Sequence, residues 1–296
     1  MTSEITLFVN PTAGRGRGAR AARPAASALR AAGFSVRTVL GTDAEDALAR
    51  ARAAVAEGTG ALIAVGGDGL ANLALQAVVG TGTPLGLVAV GTGNDFARAL
   101  GMPLREPAAA GRMIADALKC GRVRDVDLGR VGDRWFGTVL ASGFDSRVND
   151  RGNRMRLPAG RFKYDLAMIA ELAAFRPFPY RITLDGGGVR EVEATLVAVG
   201  NGSSYGGGMR ICPGADLTDG LLDVTVVGDC GRGTLLRVFP TVYRGTHVEH
   251  PKVTVFRAAS VELAAEGITG YADGEPVGPL PLTARCVRAA VRVVGP

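Results

Sequence analysis

The sequence predicts an α/β domain on a doubly wound parallel sheet, followed by a β-rich second domain. Three observations carry this. Strand-like apolar runs alternate with helical patterns up to about Asp127; three of those strands end in a glycine-rich turn that opens a helix; and beyond Asp127 the texture changes to short strands separated by Gly/Asp turns.

Taken in order, Ile5–Val9 reads as a buried strand, followed by a helix of roughly Arg20–Ala32 whose start Pro24 blurs. Phe34–Val39 is a second strand. Thr42-Asp43-Ala44-Glu45 has capping-box spacing and opens a helix to about Glu57, stopped by Gly58. Ala61–Val65 and Leu85–Val90 read as strands around a helix at Leu70–Val79, and another helix starts near Asn94. In such sheets ligands bind at the carboxyl ends of the strands. Further on, Trp135–Ala141, Tyr180–Leu184, Val192–Gly200, Leu221–Val227, Val253–Phe256 and Val261–Ala264 read as strands, with helices at Tyr164–Phe175 and about Gly233–Tyr243. Cys286–Val294 alternates and can return to either domain. The expected division is residues 1–127, with 286–296 a candidate to complete them, and residues 128–285.

Composition narrows the classes. A chain of 296 residues with 47% apolar and 21% charged residues suits one or two globular domains. Its 43 glycines, without a collagen period, point to tight turns and close backbone approaches. No apolar run reaches the roughly 20 residues that span a bilayer, and Met1–Glu4 leads straight into a strand without a signal peptide, so a cytoplasmic protein is expected. Cys120, Cys212, Cys230 and Cys286 are scattered without zinc-ligand spacing and are expected to be reduced. A net charge of +6 suits an anionic partner (nucleotide, acidic lipid headgroup or nucleic acid) without choosing among them, and a plain arginine bias explains it equally well.

The chemistry lies in the three turns. Asn10-Pro11-Thr12-Ala13-Gly14-Arg15-Gly16-Arg17 follows the first strand; a glycine-rich turn opening a helix offers backbone N–H groups to phosphate, and Arg15 and Arg17 add charge. Alone, it is equally an ordinary turn with solvated arginines. Gly66-Gly67-Asp68-Gly69 follows the third strand: its glycines admit a ligand close to the backbone, and Asp68 stands where a metal or hydroxyl could be held or, more simply, where a helix is capped. Gly91-Thr92-Gly93-Asn94-Asp95-Phe96-Ala97-Arg98 follows the fourth strand. Three such turns on successive units converge at one sheet edge, which argues for a nucleotide phosphate site.

Together these motifs resemble the catalytic domain of the diacylglycerol kinase family in its soluble bacterial form. Val126-Asp127-Leu128-Gly129, Gly206-Gly207-Gly208-Met209 through Pro213, Asp219-Gly220-Leu221-Leu222-Asp223-Val224 and Ala272-Asp273-Gly274-Glu275-Pro276 extend the resemblance in order over nearly the whole chain. It implies a nucleotide domain like that of NAD kinases and phosphofructokinases, a β-rich lid domain, and ATP and Mg2+ in the cleft between them. It implies Asp273 as general base; Asp68, Asp95 and Asp127 around the catalytic magnesium; and a structural magnesium at Asp219 with the carbonyls of Asp216 and Leu221. It further implies nucleotide contacts at Asn10, Pro11, Gly14, Arg15, Thr42, Gly66, Gly67, Asp68, Gly69, Asn72, Thr92, Gly93, Asn94, Asp95 and Glu275. The partners expected are a lipid substrate, an anionic membrane touched peripherally and a second copy in a homodimer, with no nucleic acid.

The chain departs from that pattern at Leu70, where the family usually has Thr or Ser, and at Leu73, where a glutamate is frequent. Leu70 removes a hydroxyl from the phosphate turn, although backbone N–H contacts would survive. Arg147, Arg151, Arg154, Arg156, Arg161 and Lys163 precede an apolar helix and suggest a bilayer-docking segment; a solvated loop is the competing reading. His247 and His250 lack a matching third ligand and read as a turn pair. The alternatives carried forward are a kinase of another hydroxylated substrate (a sphingoid base, a ceramide or a soluble NAD-type acceptor) and a catalytically silent lipid- or nucleotide-binding protein.

Overall fold

The computed structural model describes residues 4–10, 13–143 and 177–296. The N-terminal domain is a parallel sheet in the order β2 (Ser35–Leu40), β1 (Glu4–Val9), β3 (Leu62–Gly66), β4 (Leu85–Ala89). Every residue of β3 and β4 is buried, as expected of strands covered on both faces by helices. The covering helices are α1 (Ala13–Ala31), α2 (Ala44–Ala56), α3 (Asp68–Val78) and α5 (Pro107–Lys119), with α4 (Asp95–Ala99) a single turn at the mouth of the sheet.

The second domain is antiparallel. β7 (Val139–Gly143), β9 (Arg190–Gly200), β8 (Phe178–Leu184) and β12 (Ser260–Ala264) follow one another across the sheet. β13 (Thr269–Ala272) and β14 (Glu275–Pro279) extend it beyond β7. β10 (Leu222–Gly228) joins β9 to β11 (Val253–Ala258), and α6 (Arg232–Val242) lies between those two strands in sequence. Two long strands stitch the domains together. β15 (Leu282–Val294) pairs with β12 through its first half and reaches β4 at Val293, while β5 (Val123–Val131) runs antiparallel along it and carries β6 (Arg134–Phe136). The closing segment therefore bridges β12 of the second domain and β4 and β5 of the first.

Three local differences from expectation have physical causes. α1 begins at Ala13 rather than Arg20, so the glycine-rich stretch after β1 is the start of the helix, with Pro24 in its interior. That helix is held by packing: Gly111 of α5 lies so close that a Cβ there would meet the Ala25 carbonyl oxygen at 2.9 Å. The cap of α2 is shifted by one: Asp43, not Thr42, accepts from the Asp46 amide, and Asp46 returns the bond to the Thr42 amide. The helix starting near Asn94 is broken in two, because Gly101 turns at φ +75° and Pro107 opens α5 at its first position. The expected helix at Tyr164–Phe175 and the basic residues from Arg147 to Lys163 lie outside the described residues.

Candidate active site in the interdomain cleft

Two of the three turns interlock at the carboxyl edge of the parallel sheet. A Cβ on Gly91 would lie 2.5 Å from the Cα of Gly67, and one on Gly93 would lie 2.4 Å from Asp68 Oδ2. Only glycine allows this approach. Asp68 does not cap its own helix: its Oδ2 accepts from the Asn94 amide and its Oδ1 from the Asp95 amide, each at 2.7 Å. It is thus the acceptor for the first turn of the neighbouring helix α4. Asn94 holds a left-handed φ of 61°, fixed by its side-chain amide, which accepts from Gly91 N and donates to Gly91 O. Asn10 follows β1; Pro11 and the side chain of Arg15 lie outside the described residues, and Gly14 falls in the first turn of α1.

Asp95 joins the turns to the second domain. Its Oδ1 accepts from Arg98 Nη1 at 2.6 Å and from Ser204 Oγ at 3.3 Å, and its Oδ2 accepts from the Gly207 amide at 2.7 Å. Burial raises its carboxyl above the usual range and Asp68 repels it further, while the Gly207 amide and Arg98 act the other way. Arg98 pairs with Asp95, whereas Asp68 is held by backbone amides alone. This oxygen-rich, undercompensated pair suits a hard divalent cation shared with phosphate oxygens, so Asp68 and Asp95 fit a magnesium ion.

Asp273 stands across the cleft in the tight turn between β13 and β14, at a left-handed φ of 50° that a non-glycine residue adopts at a cost. Its carboxylate takes four donors: the Gly137 amide at 2.8 Å, the Thr138 amide at 2.9 Å, the Thr138 hydroxyl at 2.5 Å and Asn72 Nδ2 at 3.1 Å. Burial nevertheless pushes the carboxyl upward, opposed by those four bonds. Asn72 also donates to the Trp135 carbonyl, and Gln76, one turn further along α3, brackets the Trp135 peptide by accepting from its N–H and donating to its C=O. One helix therefore carries Asp68 at its start and the partner of Asp273 one turn later.

Of the remaining expected residues, Gly69 and Thr92 belong to the same two turns. Thr42 is exposed and bonded to Asp46; Thr92 is exposed, its carbonyl bonded to Arg105; Gly69 and Glu275 are exposed. Asp127, on β5, is buried: its carboxylate accepts from the Gly220 amide at 2.7 Å and from the Ala289 amide at 2.8 Å. Asn201 links its carbonyl to that of Gly137, beside Asp273. Asp219 is taken up by cations of the chain itself. Arg257 pairs with its Oδ2 and with Asp223, and Arg288 donates to its carbonyl at 2.9 Å, while Asp216 Oδ1 accepts from the amide and hydroxyl of Thr218. A metal ion at Asp216, Asp219 and Leu221 would have to displace the Arg257 guanidinium from Asp219.

Leu70 is 5% exposed and packs on Gly66, so this departure fills the core beneath the turn, and Leu73 lies half-buried against the same core. Gly137, Thr138, Gln76 and Ser204 escaped the sequence reading, because no glycine run or charge marks them.

Comparison with known proteins agrees with this two-domain fold. Residues 4–131 match the family model of the diacylglycerol kinase catalytic domain, and residues 138–295 match that of the YegS C-terminal NAD kinase beta sandwich-like domain. A protein of Mycobacterium tuberculosis (strain H37Rv) named diacylglycerol kinase is 46% identical over 99% of this chain and 95% of its own length. One of the same name from Bacillus subtilis (strain 168) is 29% identical over 93% of this chain and 90% of its own. The crystal structure of a diacylglycerol kinase from Bacillus anthracis (strain Sterne) superposes with a TM-score of 0.75 at 24% identity, covering 99% of this chain and 97% of that one, and shows the shared fold alone. Among the described residues no helix is long and apolar enough to cross a membrane. Two family models in the expected order and close likeness along almost the whole chain lead to one conclusion: the chain is a kinase of the diacylglycerol kinase family.

Proposed function

We propose that this chain transfers the terminal phosphate of ATP to a hydroxyl of a diacylglycerol-like lipid, with Asp273 as the general base. The observation that carries the reading is the bond from Asn72 to Asp273, which ties the base to the helix that opens at Asp68. Phosphoryl transfer asks a protein for positioning and charge compensation more than for covalent chemistry. Asp273 takes the proton of the acceptor hydroxyl as its oxygen bonds to phosphorus, and ADP leaves with the electrons of the broken P–O bond. Gly67 and Gly91 keep the backbone open to the phosphates, and Asp68 and Asp95 would hold a magnesium ion, which when bound neutralises phosphate charge. Carboxyls shifted upward are expected of a base that works near neutral pH.

The test is transfer from γ-labelled ATP to a panel containing diacylglycerol, monoacylglycerol, ceramide, a sphingoid base and NAD. Label in phosphatidic acid is the expected result. Label in NAD, or in no acceptor, contradicts the reading.

A further inference from the structure

Helix α6 is apolar on two sides. Val238 and Val242 are buried, Val242 in a cluster with Val139, Leu196 and Ile211. The opposite side faces water. Leu236 is 60% exposed and Tyr243, just past the helix end, 45%, and they are two of the five large hydrophobic side chains exposed among the described residues. Phe239 and exposed Pro240 fall between them at helical spacing, and the Phe239 ring meets Tyr243 edge-on at 6.2 Å. Positions 236, 239, 240 and 243 form one stripe. Exposed Arg232, Arg237 and Arg244 flank it, and no Asp or Glu occurs from Cys230 to Val248. The core is already served by the other face, so packing does not account for the stripe.

We propose that this outer face of α6 docks on an anionic lipid bilayer. Apolar side chains flanked by Arg232, Arg237 and Arg244, with exposed Asp229 and Glu249 lying beyond the two ends of the helix, match the boundary between acidic headgroups and acyl chains. A second copy fits worse, because a two-fold contact through this face would set Arg232, Arg237 and Arg244 against their own counterparts. The position is apt for a lipid acceptor. The Val242 carbonyl accepts from the Arg210 amide at 3.0 Å, and three residues earlier Gly207 holds Asp95. Docking would thus set the membrane beside the loop that closes over Asp95. The choice of occupant rests on the lipid-kinase reading.

The test uses the full chain and two variants, Leu236→Ser/Tyr243→Ser and Arg232→Gln/Arg237→Gln/Arg244→Gln. Co-sedimentation at low salt compares vesicles of phosphatidylglycerol and phosphatidylcholine in equal parts with vesicles of phosphatidylcholine alone. Transfer to short-chain diacylglycerol in detergent micelles is measured alongside. Wild type should prefer the anionic vesicles, and each variant should lose at least about tenfold in partition to them, a basic side chain near such a surface being worth roughly fivefold. Activity in micelles should be unchanged. Wild-type sedimentation by either variant overturns the proposal, as does a wild type indifferent to vesicle charge, or a wild-type dimer that Leu236→Ser/Tyr243→Ser converts to monomer. Failure of wild type to phosphorylate any lipid in micelles counts against the lipid-kinase reading instead, and the sedimentation comparison still decides the docking face.

Discussion

Thr138 holds Asp273 twice through one atom: its amide at 2.9 Å and its hydroxyl at 2.5 Å both donate to Asp273 Oδ1. The other oxygen takes Gly137 and Asn72. An ionised carboxylate has about four lone-pair sites. An incoming hydroxyl must therefore share or displace a donor, and the rotatable Thr138 hydroxyl is the one able to turn away.

Thr138→Val keeps the shape and the amide but removes the hydroxyl. One of the bonds that lowers the Asp273 carboxyl is lost while burial remains, so its pKa rises further. The base is then deprotonated only at higher pH, and the acidic limb of the kcat–pH profile should move to higher pH. On that limb a shift of one unit is about a tenfold loss at fixed pH. Thr138→Ser should restore the wild-type profile; an unmoved limb in Thr138→Val would contradict this role.

Gly91→Ala and Gly69→Ala should behave oppositely. A Cβ on Gly91 strikes Gly67 Cα and Asn94 Oδ1, whereas nothing lies within 4 Å of one on Gly69. Overpacking of that kind costs about 1–3 kcal/mol. Gly91→Ala should lower Tm and weaken ATP binding by calorimetry, while Gly69→Ala leaves both close to wild type.

Asp68→Ala orphans the amides of Asn94 and Asp95 and removes half of the acidic pair. Chemical denaturation should report a loss of about 2 kcal/mol, and calorimetry weaker binding of ATP with magnesium. Equal affinity in wild type and variant would mean that the nucleotide lies elsewhere.

The arginines at Asp219 make a prediction about metal removal. Without ATP, wild-type Tm should be the same in EDTA and in magnesium, because Arg257 and Arg288 already neutralise that turn. Asp219→Ala should lower Tm modestly, since partly exposed ion pairs are worth about 1 kcal/mol or less. A wild-type Tm that rises with magnesium and no longer does so in Asp219→Ala would place a cation there.

Much of this was readable from spacing alone. β3 and β4 are short apolar runs that lead into glycine-rich turns, and those turns carry Asp68 and Asp95. The resemblance, rather than periodicity, pointed to Asp273, because a D-G-E in a turn is by itself an ordinary β-turn. The carboxylate's surroundings were hidden: Asn72 lies 201 residues from it and Thr138 lies 135 away, and hydrogen bonds over such separations leave no local pattern. Asp127 was likewise pointed to by the resemblance, and its partners were hidden from the sequence: it accepts the amides of Gly220 and Ala289, 93 and 162 residues away.

The central claim is that Asp273 removes the proton of the acceptor hydroxyl, and Asp273→Asn tests it most directly. Transfer of labelled phosphate from ATP to diacylglycerol in micelles should fall by several orders of magnitude, because both the base and its charge are lost. ATP affinity, measured on the same preparation, should be unchanged, since none of the four donors to Asp273 comes from the turns that carry Asp68 and Asp95. Transfer near the wild-type rate by this variant would contradict the account.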